Sequence, residues 1–250
     1  NPVEAIQTNV LGTKNMADLA VKYNVSKFVM ISTDKAVNPA NVMGASKRVA
    51  EIYVQSYFKK LQKEGRATTN FITTRFGNVV GSNSSVIPIF NRQIENGGPV
   101  KVTHPDIIRY FMTIPEACNL VLEASTLGKG GEIFIFDMGT PVKIDDLAKK
   151  MIRLAGYTPN VDIKVEYTGL RPGEKLYEEL LNVKEITKET SHEKIMIANV
   201  QEYDYDEVSK EIDELIELSR SFNDFSIVAK MKEIVPEFRS KNSIYESLDK

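Results

Sequence analysis

Apolar side chains recur through residues 3–23 at the spacing of one helical face: Val10, Leu11, Met16, Leu19 and Ala20. Lys27-Phe28-Val29-Met30-Ile31-Ser32 is a short apolar run with β-branched members, the pattern of a buried strand. A longer helical pattern follows over residues 42–64, and a second strand over residues 70–76 stops at Gly77. Residues 88–95 read as a short helix closed by Gly97-Gly98-Pro99, and residues 114–127 as another. After a turn at residues 128–131 come a third strand, 133–137, and a helix over 142–155 with Gly156 as its stop. Helices alternating with apolar strands predict an α/β fold with a parallel sheet and crossover helices.

Two stretches, residues 81–113 and 157–183, break the alternation. They are richer in Gly, Pro and Asn, and are expected to form a smaller lobe or long functional loops. From Lys184 the chain turns polar. There Val208, Ile212, Leu215, Ile216 and Leu218 keep helical spacing, so residues 184–250 are expected to be a helical tail packed on the body.

Composition narrows the function classes. A net charge of −2 without a long basic run gives nucleic acid no electrostatic foothold. The single cysteine, Cys118, has no partner for an internal disulfide, which fits a reducing, cytoplasmic setting. No apolar run approaches the roughly 20 residues of a membrane helix, and no signal-peptide pattern is present. The sequence opens at Asn1-Pro2 with a helical pattern already under way by Asn9, so a piece of a longer protein is expected.

The chemistry-bearing residues gather after the first strand. Ser32-Thr33-Asp34-Lys35 lies at its C-terminal end, the edge of open α/β sheets where ligands bind. A hydroxyl, a carboxylate and an ammonium in a row suit hydrogen bonding with general acid and base work. A plain capping turn would use the same residue types. Met43 and Lys47, four apart, share one face of the following helix.

Residues 32–39, Ser-Thr-Asp-Lys-Ala-Val-Asn-Pro, with residues 41–48, Asn-Val-Met-Gly-Ala-Ser-Lys-Arg, resemble the extended short-chain dehydrogenase/reductases. Within them the chain looks like the UDP-N-acetylglucosamine 4,6-dehydratases of capsule and O-antigen biosynthesis. Arg75-Phe76-Gly77-Asn78-Val79-Val80-Gly81-Ser82, His104-Pro105-Asp106, Arg109-Tyr110-Phe111-Met112-Thr113, and Gly169-Leu170-Arg171-Pro172-Gly173-Glu174-Lys175 extend the resemblance. Val235-Pro236-Glu237-Phe238 and Asn242-Ser243 match as well.

The resemblance implies the C-terminal half of a Rossmann-like, doubly wound parallel sheet plus a smaller substrate-binding lobe. Residues 1–80 and 114–156 would belong to the sheet, 81–113 and 157–183 to the lobe. The Gly-rich strand–turn–helix that holds the dinucleotide pyrophosphate is not in this sequence, and Gly128-Lys129-Gly130-Gly131, which precedes a strand, reads as a turn. The superfamily's usual tyrosine is Met43 here, and a thioether cannot take a proton. The long, membrane-tethered capsule dehydratases resemble this chain in carrying methionine there.

As the resemblance has it, NAD takes a hydride from sugar C4, water leaves across C5 and C6, and the hydride returns to C6. Thr33 would bond the C4 hydroxyl. Asp34 would be the acid at C6 and, with Met43 inert, the acceptor of the C4 hydroxyl proton. Lys35 would be the base at C5 if burial or Lys47 lowers its pKa. Lys47 would hold the nicotinamide ribose, with Ser32 and Arg75 also on the cofactor side. Asn78, Ser82, Arg109, Arg171 and Glu174 would bind the UDP-sugar, the arginines through their guanidinium forks. His104 reads as structural, Tyr110, Phe111 and Met112 as packing, and no metal is expected. A homo-oligomer is expected, with any membrane attachment carried by upstream residues. A UDP-sugar 4-epimerase on the same scaffold, or a non-catalytic fragment without its dinucleotide site, are the competing readings.

Overall fold

In the computed structural model, which describes residues 1–82, 85–179, 186–199 and 201–249, helix α1 (Pro2–Ala5) runs through a π-helical segment (Ile6–Leu11) into α2 (Gly12–Lys22). Strand β1 (Lys27–Thr33) leads through one 3-10 turn (Asp34–Ala36) to the long helix α3 (Val42–Lys63), then β2 (Asn70–Phe76) and β3 (Asn78–Val79). Next come α4 (Val86–Glu95), β4 (Val100–Val102), β5 (Ile108–Arg109), β6 (Phe111–Met112) and α5 (Ile114–Leu127). After β7 (Ile133–Phe136), β8 (Val142–Lys143) and α6 (Ile144–Leu154), the chain continues through β9 (Val165–Tyr167), β10 (Ile186–Glu189) and β11 (Ile195–Asn199) to α7 (Tyr205–Ser219) and α8 (Asp224–Ile234).

The main sheet has the order β1-β2-β7-β11-β10. β1 pairs in parallel with β2 from Lys27↔Asn70 to Thr33↔Phe76, and β2 in parallel with β7. Alternation along each strand feeds two cores, because successive side chains point to opposite faces. Met30 and Phe71 pack with α3, α7 and α8, whereas Ile72, Phe134 and Phe136 pack with α5 on the other face. A third core, with Phe90, Val100, Val102, Ile107, Ile144 and Ile152, belongs to the lobe that carries α4, β4 and α6.

Two expectations change. The helix predicted over 142–155 begins at Ile144, because Val142 and Lys143 pair antiparallel with β5. The tail is not wholly helical: β11 adds antiparallel to β7, Ile195 opposite Phe136, and β10 adds outside it. The free edge of β7 offers a ladder of backbone groups, and β11 satisfies them while burying Ile195 and Ala198. The boundary expected between Val183 and Lys184 lies outside the described residues.

Asn41 caps α3, its side chain accepting the Gly44 N–H at 2.9 Å. Mid-helix, Glu51 is fully buried and accepts from Arg75 of β2 at 2.8 and 2.6 Å and from Arg48 at 3.1 Å. Arg48 also bonds Glu237 at 3.1 Å. Burial alone would push the Glu51 carboxyl up, but the guanidiniums of Arg75 and Arg48 outweigh it and hold it below the ordinary range. A depressed carboxylate pKa gives stability that is complete above the unfolded value and lost as pH falls through the folded one. Glu51→Met, which removes the carboxylate shared by two buried guanidiniums, should therefore cost about 3–5 kcal/mol. Urea unfolding at pH 7 measures the loss, and the gap to the native protein should narrow as the pH is lowered.

Candidate active site

β1 delivers Thr33 to the sheet's C-terminal edge, and the 3-10 turn sets Asp34 and Lys35 beside it. Thr33 Oγ1 donates to Asp34 Oδ1 at 2.8 Å and accepts the Lys35 backbone N–H at 3.4 Å. Lys35 Nζ donates to the same Asp34 oxygen at 2.9 Å and to Asn78 Oδ1 at 3.3 Å. Asn78 in turn donates from Nδ2 to the Tyr110 carbonyl at 3.2 Å, so its amide is oriented to accept from Lys35. Asp34 is 0% exposed, and its Oδ2 has no hydrogen-bond partner among the described residues.

Two glycines make this packing possible. A Cβ on Gly44 would stand 2.1 Å from the Lys35 carbonyl oxygen, so only glycine lets the start of α3 close on the turn. One on Gly77 would meet Asp34 Oδ2 at 2.9 Å and Met138 Cε at 3.2 Å.

Thr33, Lys35 and Met43 open onto a cavity of about 550 Å³ between the sheet edge and the lobe. Asn78, Ser82, Arg109, Arg171 and Glu174 also line it, so the structure brings these sequence-predicted residues to one space. Met43 is 43% exposed there. Asp34 lies behind the wall, in reach of the cavity only through the Thr33 hydroxyl or the Lys35 ammonium.

Other candidates sit apart from the cavity lining. Lys47 is half-buried, with Nζ donating to the Ile31 carbonyl at 3.3 Å; burial pushes its ammonium below the ordinary range, with Glu51 opposing. Ser32 is buried, and its hydroxyl does not line the cavity. Arg75, expected at the cofactor, is 1% exposed and spends its fork on Glu51. Ser82, which does line the cavity, donates its hydroxyl to the Val79 carbonyl at 2.9 Å.

The substrate arginines divide their work. Arg109 donates to the carbonyls of Ile108 at 2.7 Å, Leu176 at 3.2 Å and Lys175 at 2.8 Å, and to Glu174 at 3.4 Å. Its fork is thus committed to holding residues 174–176, contrary to its expected place on a diphosphate. Glu174 accepts from Thr103 at 3.2 Å and from the Arg171 backbone N–H at 3.0 Å, which makes it a cap of its own turn. Arg171 is exposed, and its guanidinium has no partner among the described residues.

Sequence reasoning missed Lys101 and Thr103, which line the cavity from the strand-like Val100-Lys101-Val102 and its following turn. Lys101 carries no sequence signal, since an exposed lysine alternating with buried valines is ordinary for a strand. It also missed Glu178, whose side chain is 6% exposed and paired with Arg109 at 3.8 Å.

The polysaccharide biosynthesis protein family matches residues 1–200. The capsular polysaccharide biosynthesis protein CapD of Staphylococcus aureus is 58% identical over 216 residues, which cover 86% of this chain and 35% of that protein. A UDP-glucose 4-epimerase of Rickettsia canadensis is 40% identical, covering 75% of this chain and 52% of that protein. The chain therefore spans a third to a half of the length of these relatives. Among solved structures, Pen from Bacillus thuringiensis is 37% identical with a TM-score of 0.70, covering 79% of this chain and 60% of that one. A dTDP-glucose 4,6-dehydratase of Bacillus anthracis, at 22% identity and a TM-score of 0.59 over 68% of this chain and 58% of that one, shares the Rossmann-like fold.

Arg109 makes its own test possible. A lysine at that position cannot span three carbonyls and a carboxylate, so Arg109→Lys should loosen residues 174–176 while β1 and β2 stay intact. Charge-assisted bonds contribute about 1.5–3 kcal/mol each, and exchange of the Ile108 amide, which donates to the Leu176 carbonyl at 3.1 Å, should accelerate roughly ten- to a hundredfold. Hydrogen–deuterium exchange reads this directly, and unchanged protection there would show that the guanidinium is not the clamp.

Proposed function

The chain belongs to the polysaccharide biosynthesis protein family, and we propose that within a longer protein it carries the acid–base and substrate side of an NAD-dependent UDP-hexosamine 4,6-dehydratase, with UDP-N-acetylglucosamine as the substrate. The observation that carries this reading is the Thr33–Asp34–Lys35 constellation. A carboxylate and an amine share one oxygen at 2.9 Å, beside a hydroxyl that opens onto the cavity. Dehydration needs proton transfers at neighbouring carbons, and such a pair supplies an acid and a base within one hydrogen bond of each other.

The residues present fit the nicotinamide end of the cofactor. Lys47 uses one of its three N–H donors on Ile31 and keeps the others, and Met43 leaves the face above it open. Bound there, NAD supplies a hydride acceptor for C4 and the hydride donor for C6. The chain's own groups handle the protons. Thr33 takes the C4 hydroxyl proton and passes its own to Asp34, a relay that suits the buried carboxylate better than direct contact. The Lys35 side chain removes the C5 proton, and the Asp34 proton leaves with the C6 hydroxyl as water. Lys35 then returns its proton to C5 as C6 receives the hydride. Water is the net loss, and both side chains end as they began.

Arg171 and Lys101 supply positive charge on the cavity wall for a diphosphate, and Arg109 fixes the segment that presents Arg171. Epimerisation remains the second reading, supported by the 4-epimerase relative. It requires only reversible oxidation at C4 and leaves Lys35 without a carbon to deprotonate.

Two measurements on the longer protein separate these outcomes. Asp34→Asn keeps the size of the side chain but loses the proton-accepting carboxylate. Single-turnover absorbance on adding the UDP-sugar should then show no reduced nicotinamide; a normal burst would remove Asp34 from the first step. The native protein should release a product that absorbs in alkali, as a 4-keto-6-deoxy sugar does. A non-absorbing epimer would transfer the assignment to the second reading. Arg171→Ala should weaken UDP-sugar binding roughly ten- to a hundredfold with NAD affinity unchanged, as expected for loss of a charge-assisted contact, and calorimetric titration of each ligand checks both.

A further inference from the structure

We propose that Lys232 is a positioning residue of the substrate site: it pins the C-terminal segment 238–241, whose backbone ties the turn carrying Arg171 to the start of α3. The consequence for binding rests on the proposed contact of Arg171 with a diphosphate. The tie itself is a matter of geometry and is read without a ligand.

Arg171-Pro172-Gly173-Glu174 closes a β-turn, the Glu174 N–H donating to the Arg171 carbonyl at 3.0 Å. Proline and glycine hold its central positions, and Gly173 has a φ of 70°, the signature of a type II turn. Both polar groups of the Gly173 backbone are spent outside that turn. Its N–H donates to the Lys241 carbonyl at 2.6 Å, and its carbonyl accepts from Asn41 Nδ2 at 2.9 Å. The approach is also close: a Cβ on Gly173 would stand 2.8 Å from the Ala40 carbonyl oxygen and would overlap the Asn41 side chain. Arg171, two residues away, therefore takes its position from a buried glycine held between the C-terminal segment and the cap of α3.

The segment has a second tie. The Arg239 N–H donates to the Pro39 carbonyl at 3.0 Å, in the loop whose Val37 carbonyl receives Lys175 at 3.1 Å. Residues 239–241 thus bridge two parts of the site, the approach to α3 and the Arg171 turn.

What holds the segment is Lys232, on the last turn of α8. Its Nζ donates to Ser240 Oγ at 2.9 Å, to the Phe238 carbonyl at 3.4 Å and to the Asp249 carboxylate, and it stands 4.0 Å from the centre of the Phe238 ring. Asp249 also accepts the Ser240 N–H at 3.2 Å. The Lys232 side chain is 9% exposed, so these acceptors replace the water its ammonium has given up. Lys232, Ser240 and Asp249 do not line the cavity, and Lys232 acts on it only through residues 239–241 and Gly173.

The test uses Lys232→Met in the longer protein, which keeps the bulk of the side chain and removes its bonds. Asp249→Ala is a second variant that loosens the same segment without altering α8. Hydrogen–deuterium exchange should show the Arg239 and Gly173 amides exchanging roughly tenfold faster in both, the scale of one charge-assisted bond. The Thr73 amide of β2, which donates to the Glu132 carbonyl at 2.9 Å, should keep its protection. Calorimetric titration with UDP should show an affinity lowered by a similar factor, with NAD affinity unchanged. Coupling is reciprocal, so saturating UDP should slow exchange at Arg239 in the native protein, and the effect should be lost in Arg171→Ala. Faster exchange at Arg239 with Gly173 protected as before would overturn the tie. A loosened Gly173 with undiminished UDP affinity would overturn the positioning role. A native protein that takes up no UDP, in which both variants still release Gly173, would uphold the tie and sink the nucleotide-sugar reading.

Discussion

The whole arrangement hangs on the buried carboxylate of Glu51. It receives Arg75 from the second strand and Arg48 from one turn earlier on its own helix, and Arg48 reaches on to Glu237 near the C-terminus. A hydrophobic contact tolerates sliding; a carboxylate between two buried guanidiniums does not, since any shift that breaks a bond weakens the compensation of a buried charge. α3 is thereby fixed in rotation and height against β2. Lys47 stands one turn before Glu51 and Met43 two turns before it, so both inherit that placement. The same ion pairs explain why Arg75 is absent from the cavity: its charge is used to build the scaffold on which the cavity rests.

Close backbone approach then sets the site at the helix start. Gly44 admits the Lys35 carbonyl, Gly77 leaves space for Asp34, and the Asn41 cap reaches both Gly44 and the carbonyl of Gly173. The turn after β1, the N-terminus of α3 and the segment from Gly173 to Glu179 consequently meet as one unit. Arg109 supplies the clasp on the lobe side. A carboxylate such as Asp34 can stay fully buried here because Thr33 and Lys35 both donate to one of its oxygens, while the other faces the gap that Gly77 leaves. Preorganisation of this kind favours proton exchange among fixed groups over large side-chain movement.

Much of this was legible in the sequence. The short apolar runs at residues 27–32, 70–76 and 133–137 mark the three parallel strands, because strands of parallel sheets carry near-continuous apolar runs. Thr33, Lys35, Met43, Asn78 and Arg171 fell on the cavity because their motifs sit at the ends of those strands or on the lobe's turn. Pairings between distant residues were not legible. Nothing in Ile195-Met196-Ile197-Ala198 says that it will lie antiparallel beside Phe136 instead of coiling into a tail helix, because the open edge of β7 decides it. Nor does an arginine announce whether its fork will meet a ligand or a carbonyl: Arg109 and Arg171 look alike in sequence, and only the fold distinguishes the clamp from the arginine whose guanidinium has no partner among the described residues. Glu178 was hidden for the same reason, its burial being imposed by ties made elsewhere.

The geometry also bears on which chemistry the scaffold favours. Oxidation at one carbon needs a single proton acceptor, and an exposed hydroxyl coupled to a carboxylate would be enough. This site places an amine on the same carboxylate oxygen and turns an asparagine to accept from it. Under the proposed elimination the amine has a task at the next carbon, and the shared Asp34 oxygen lets the proton balance between the two steps close within three consecutive residues. The methionine at residue 43 fits the same proposal: if the base duty lies at the strand end, the helix face above the cavity needs shape and not a proton.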